Sequence, residues 1–109
     1  MPRSASLIIN LTRLRENARL LKHHAGARRV MGVVKANAYG HGAVPCARVI
    51  SEEADALAVA FVEEAIELRY SGIQTPILVL QGPRDLTDWE KIHSEKLWTA
   101  IHSEWQLDL

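Results

Sequence analysis

A single cysteine, Cys46, stands in this sequence. One thiol makes no intramolecular disulfide, and with no second thiol or histidine cluster at ligand spacing it makes no zinc site, so Cys46 reads as a small buried apolar residue. Long hydrophobic runs are missing too. The longest, Ala56 to Val62, has seven residues, whereas a bilayer-spanning helix needs about 20, and no basic leader with an apolar core precedes a cleavage site. No membrane partner is expected, and the chain reads as cytoplasmic. Aromatic residues are only 6% of the chain, and Trp89, Trp98 and Trp105 lie in separate segments, forming no cage or stacking stripe. Excess charge of either sign is absent, with 13 Lys plus Arg against 13 Asp plus Glu, which removes the general electrostatic reason to expect nucleic acid.

What is present is an ordinary folded composition: 109 residues, 48% apolar and 24% charged. That is enough for one domain and too little for a closed eight-unit α/β barrel of about 250 residues. The charges are unevenly placed. Residues 1–50 carry nine basic groups and one acid, Glu16, and residues 51–109 carry four basic groups and twelve acids, or +8 against −8. Two halves of one fold attracting across a shared surface account for this better than a nucleic-acid arm, because the basic half has few aromatics and is patterned as folded structure.

Leu11, Leu14, Ala18, Leu21 and Ala25 recur at steps of three and four, which predicts a helix capped by Asn10 and stopped by Gly26. Arg13, Arg15, Arg19 and Lys22 fall largely on its other faces and read as a solvated surface. Val30 to Val34, apolar, rich in β-branched residues and followed by Lys35, reads as a strand covered on both sides. Ala36 to Gly42 is expected to be a loop, and Pro45 suits the first turn of a helix running to about Ala54. The pattern then repeats: strand 57–61, helix 63–71 stopped by Gly72, strand 77–80, and a break at Gly82 and Pro83. Thr87 and Glu90 at capping-box spacing announce another helix, 97–101 reads as a fourth strand, and Ser103 with Gln106 announces a last helix. The strand starts Val30, Leu57, Ile77 and Leu97 lie 27, 20 and 20 residues apart. Strand and helix alternating at this interval predict parallel βαβ units. Four such strands with open edges leave unpaired backbone groups, so the chain is expected to be the N-terminal piece of something larger.

Lys35 directly follows the first strand, at the carboxyl end where α/β sheets and barrels build their sites. One reading is an edge lysine whose stem packs on the strand while its head reaches water. The other is a nucleophile: an amine held uncharged by low dielectric and neighbouring cations condenses with an aldehyde, the way pyridoxal phosphate is held. Tyr39, four residues on, precedes Gly40, His41 and Gly42. Glycines let backbone approach a ligand and a phenol donates to phosphate oxygen; a packed loop anchor is the alternative. Glu63 and Glu64 read as acids complementing a helix dipole, and Leu80 as a strand residue that can line a pocket.

The segment Val33 to Gly42, VVKANAYGHG, resembles the pyridoxal-phosphate attachment motif of the alanine racemases continuously over ten residues. The likeness runs on through LAVAF, EEAIELRYSGI and PILVLQG, and covers the chain from about Ile8 to Trp105. It implies that residues 1–109 are the N-terminal portion, about four βα units, of an incomplete TIM-type (β/α)8 barrel. The C-terminal β domain is absent, and the active sites are shared across a homodimer. Ala5 to Ile9, which alternate like a strand, match a segment that in the family joins the β domain, so here that strand is expected to have lost its sheet.

By position, Lys35 matches the lysine that binds the cofactor and then acts as base on the D-alanine face, and Tyr39 the tyrosine that donates to the cofactor phosphate. Val33, two residues before Lys35 and so on its face by strand alternation, matches with Leu80 the apolar positions lining the cofactor. His41 keeps the motif and receives no chemical role. The implied reaction interconverts L-alanine and D-alanine, a peptidoglycan precursor, with the pyridine ring as electron sink. The second base, a tyrosine of the partner subunit's β domain, and the arginine facing the pyridine nitrogen match nothing before Leu109, so the 109 residues are expected to be inactive alone. Two other readings stand beside it: another barrel-type pyridoxal-phosphate enzyme, such as a basic amino-acid racemase or decarboxylase, and a non-enzymatic cofactor-binding or decayed fragment.

Overall fold

A computed structural model describes residues 4–109. Helix α1, Leu11–Ala25, starts where Asn10 Oδ1 accepts the N–H of Arg13 at 3.0 Å. Then come β1 (Met31–Val33), a short turn of helix α2 (Lys35–Tyr39), α3 (Ala43–Ser51), β2 (Ala56–Val59), α4 (Val62–Tyr70), β3 (Ile77–Val79), α5 (Leu86–Ser94), β4 (Trp98–Thr99) and α6 (Glu104–Asp108). The strands form one sheet in the order β1-β2-β3-β4, every pair parallel. Each neighbouring pair is therefore joined through helix, the βαβ repeat that the strand spacing predicts.

Register assigns the faces. Gly32 pairs with Leu57 and Leu57 with Ile77, while Val33 pairs with Ala58, Ala58 with Leu78 and Leu78 with Trp98. Residues in register point the same way, so Leu57, Val59, Ile77 and Val79 share one face. They are buried against Ala47, Val62, Ala65 and Leu68 of the helices. Gly32 lies where this layer comes closest, and a Cβ there would overlap Cγ2 of Ile50 on α3.

The other face is open at both edges of the sheet, while Ala56 and Ala58 of β2 between them are buried. Met31 and Val33 are each 40% exposed and Trp98 50%, so β1 is not covered on both sides as its apolar run suggests. An all-apolar strand states what its two faces are suited to bury, and here helices bury one of them. The sheet is correspondingly open: the Cα radius of gyration is 15.8 Å, where a closed domain of this length has about 13 Å.

Two further expectations change and a third is extended. Residues 4–10 form no strand, and Leu7 and Ile8 are exposed; alternation needs a neighbouring strand to act on, and none lies beside them among the described residues. The cap of α5 is Asp85, whose Oδ1 accepts the N–H of Asp88 at 2.8 Å, so Thr87 falls inside the first turn. The basic residues of α1 do lie at the surface, and three of them also pair across the fold. Arg15 pairs with Glu52 (2.6 Å), Arg19 with Glu53 (3.0 Å) and Lys22 with Asp55, a ladder joining the basic half to the acidic half.

A second ionic cluster gives a pH dependence. Arg84 joins Glu63 at 2.6 Å and the buried Asp88 at 2.9 Å, and its backbone N–H also reaches Asp88 at 2.9 Å. The hydrogen bond from the Arg84 guanidinium holds both carboxyls below their ordinary values. A carboxyl depressed in the folded state contributes stability above its unfolded value, about 3.9 to 4.3, and loses it as the pH falls through the folded value. The melting temperature is therefore expected to be flat from pH 7 to 5 and to fall below about pH 4. Asp88→Asn should melt lower at pH 7 and show a shallower acid fall, read by circular dichroism; an equal fall in both proteins would move the acid response elsewhere.

Candidate active site

The ladder between β1 and β2 ends just before the lysine. Val34 donates its N–H to the Ala58 carbonyl at 2.9 Å and then leaves extended geometry (φ −124°, ψ 24°). Strand alternation thus stops at Val34, which is buried, and does not carry Val33 and Lys35 onto one face. Beyond Lys35 the backbone reverses its hand: Ala36, Asn37, Ala38 and Tyr39 have φ of 53°, 56°, 54° and 56°. This is a turn of left-handed helix built without glycine, in a region that costs an L-residue about 1–2 kcal/mol.

Contacts hold it there. Ala38 N–H donates to the Val34 carbonyl at 3.0 Å, Gly40 N–H to the carbonyls of Ala36 and Asn37 at 3.1 Å each, and Gly42 N–H to that of Asn37 at 3.0 Å. Asn37 Oδ1 accepts from Ala43 N–H at 2.9 Å, and His41 Nδ1 lies 3.0 Å from the Ala38 carbonyl. The expected loop is therefore a built element, and His41 has a structural job in it.

Lys35 is half-buried at the carboxyl rim of the sheet and takes part in no ion pair among the described residues. Tyr39 is 60% exposed. With Val33, His41, Cys46, Ile8 and Arg13 it lines an open cleft of about 470 Å³. Lys35 and Leu80 lie outside that lining. Leu80 follows β3 at the same rim, two strands away, where its N–H donates to the Val59 carbonyl at 2.8 Å and its carbonyl accepts from His102 Nε2 at 2.6 Å. The structure thus gathers Val33 with Tyr39 and keeps Lys35 and Leu80 along the rim. Burial pushes the Cys46 thiol up, away from the thiolate a nucleophile needs.

Sequence reasoning missed the reach of Glu64. It does stand in the first turn of α4, but its carboxylate accepts three backbone N–H groups: Ala60 and Phe61 at 2.8 Å each through Oε1, and Ala36 at 2.7 Å through Oε2. Its place three residues after Phe61, the N-cap of α4, signals the local contact; the bond to Ala36 spans 28 residues and carries no sequence signal.

Parallel βα units with a lysine at a strand's carboxyl end define an open portion of an α/β barrel that presents an amine at its rim. A family model described as alanine racemase, N-terminal domain, matches residues 9–109, and the chain belongs to that family. It is 46% identical over 106 residues to the catabolic alanine racemase of Pseudomonas aeruginosa, covering 97% of this chain and 29% of that protein. It is 48% identical over 105 residues to the alanine racemase of Xylella fastidiosa, covering 96% and 28%. Among solved structures, the alanine racemase of Streptomyces lavendulae superposes with a TM-score of 0.83 at 41% identity, over 90% of this chain and 26% of that one. That of Acinetobacter baumannii gives 0.85 at 28% identity, over 90% and 27%. The chain thus spans under a third of the length of the relatives it matches, and its four βα units are the N-terminal portion of a TIM-type barrel.

Proposed function

We propose that this chain carries the lysine side of the active site of a pyridoxal-phosphate-dependent alanine racemase. In this reading a longer parent, with a C-terminal β domain and acting as a homodimer in the cytoplasm, interconverts L-alanine and D-alanine and so supplies D-alanine for peptidoglycan. The observation that carries it is Lys35 at the carboxyl end of β1, continuous with a left-handed turn that projects Tyr39.

The residues present fit the cofactor. Lys35 has no carboxylate partner among the described residues, so its nitrogen is open to an aldehyde. The exposed phenol of Tyr39 offers an O–H to a phosphate oxygen, and Val33 and Leu80 supply apolar surface at the same rim. When bound, the cofactor supplies an electron sink for the pair left on the substrate α-carbon. Lys35 Nζ would hold the cofactor and would then be placed to move the α-proton on one face of the substrate. Tyr39 would anchor the phosphate end, and Val33 and Leu80 would offer apolar surface to the ring. A proton on the opposite face needs a second base, which this reading places outside the 109 residues, so the chain alone turns over no alanine.

Incubation with pyridoxal phosphate, borohydride reduction and peptide mapping tests this directly. Lys22, Lys35, Lys91 and Lys96 compete for the label. The expected result is modification concentrated on Lys35; label spread evenly over the four, or absent from Lys35, would sink the reading.

A further inference from the structure

We infer that Glu64 is the positioning residue for Lys35, acting as a substitute rung between β1 and β2 where their ladder has ended. The inference rests on the reading of Lys35 given above and extends it to a residue with no direct contact to the amine.

The two strands pair through Val33 and Ala58, and Val34 N–H to the Ala58 carbonyl is their final backbone bond. On the other side β2 stays attached, since Leu80 N–H reaches Val59 and Gln81 N–H reaches Ala60. A gap therefore opens between the ends of β1 and β2 at the level of Lys35. Into it comes the Glu64 carboxylate, one oxygen on Ala60 and Phe61 N–H at the end of β2 and the other on Ala36 N–H at 2.7 Å. Ala36 is peptide-bonded to Lys35 and is the first left-handed residue of the turn ending in Tyr39. Holding that one N–H thus fixes both the exit direction of the Lys35 backbone and the start of the turn that presents the phenol. A carboxylate suits the task because it accepts on every side and donates on none, and charge-assisted bonds of this kind are the short, strong ones.

Glu64→Gln is the informative change, being nearly isosteric. A carboxamide has one accepting atom, so if its oxygen keeps Ala60 and Phe61, its NH2 confronts Ala36 N–H, donor against donor. The readout is the ratio of borohydride-trapped label on Lys35 to that on Lys22 within the same molecules, which cancels differences in protein amount and reagent exposure, with the melting temperature reporting the folded fraction. Misplacement of a reacting group by about 1 Å costs up to about 100-fold, and the ratio is expected to fall at least about tenfold while the melting temperature stays close to the parent's. A ratio equal to the unsubstituted chain's would overturn the inference while leaving the Lys35 reading intact; failure of the unsubstituted chain to label at Lys35 would strike that reading instead. Should Glu64→Gln not fold, amide exchange in the unsubstituted chain decides. Ala36 N–H, outside any strand pairing, is expected to exchange as slowly as Ala60 N–H, and free exchange at Ala36 overturns the inference.

Discussion

Lys35→Ala, introduced into the full-length parent, is expected to leave no borohydride-trappable cofactor and to lower kcat/KM for alanine by at least about 10³-fold, with expression and melting temperature little changed. Two losses combine. The covalent anchor disappears, so a cofactor held by Tyr39 and apolar contacts alone dissociates more readily. The base on one face of the substrate goes with it, and a positioned base is worth about 10² to 10⁴ in rate. Folding is spared because Lys35 has no ion-pair partner to orphan among the described residues and the backbone bonds of the turn do not use its side chain. Retention of a tenth of the activity, or an insoluble variant that added cofactor does not rescue, would show that the lysine serves the fold instead.

Gly82→Ala is expected to be the most damaging single methyl in the chain. Gly82 follows β3 in buried backbone at φ +76°, and a Cβ would lie 2.5 Å from the Ala100 carbonyl oxygen and 2.6 Å from Gln106 Nε2. Neither neighbour has room to yield. Gln106 is 3% exposed, and its amide NH2 donates to the carbonyls of Gln81 and Pro83 at 3.2 and 3.1 Å. Its Oε1 accepts from the N–H groups of His102 and Ser103 at 2.6 and 3.2 Å. The alanine therefore meets a left-handed cost of about 1–2 kcal/mol and breaks at least one buried hydrogen bond, about 1–3 kcal/mol. Against a total stability of about 5–15 kcal/mol, a loss of about 3–4 kcal/mol lowers the melting temperature by more than 10 °C. Gly72→Ala is the control: its φ is +89° and no atom lies within 4 Å of the added carbon, so it carries the conformational cost alone. Equal melting temperatures for the two variants, by circular dichroism or calorimetry, would refute the steric account.

The repeat of strand and helix was legible because its signals are local. Apolar runs stand out at Leu57 and Ile77, and Asn10 and Gly72 mark helix ends where the structure has them. The last helix shows how such a signal can be right for a partly different reason. Ser103 and Gln106 bracket the start of α6, but the Gln106 carboxamide does the holding, reaching beyond its helix to the segment after β3. What stayed hidden depends on distant partners. The Glu64 carboxylate is indistinguishable in sequence from a dipole-complementing acid until Ala36 arrives beneath it. The bare face of β1 was misread because composition records suitability for burial and cannot report which neighbours are present. Lys35 and Tyr39 stand out through their motif, yet their common turn does not: of the four successive residues in the mirror-image region only Asn37 is of a type that favours it, and Ala36, Ala38 and Tyr39 give no signal.

That reversed screw inverts the usual rule for substitutions. Within a right-handed helix alanine relaxes the chain and glycine loosens it, but along residues 36–39 the alanines sit in the tense state and glycine would be the comfortable occupant. Nature's ordinary hinge residue is thus absent from the place where the backbone bends most unusually. The segment that follows the amine behaves as a set spring clip, with Ala36, Ala38 and Tyr39 held against their own inclination and only Asn37 at ease.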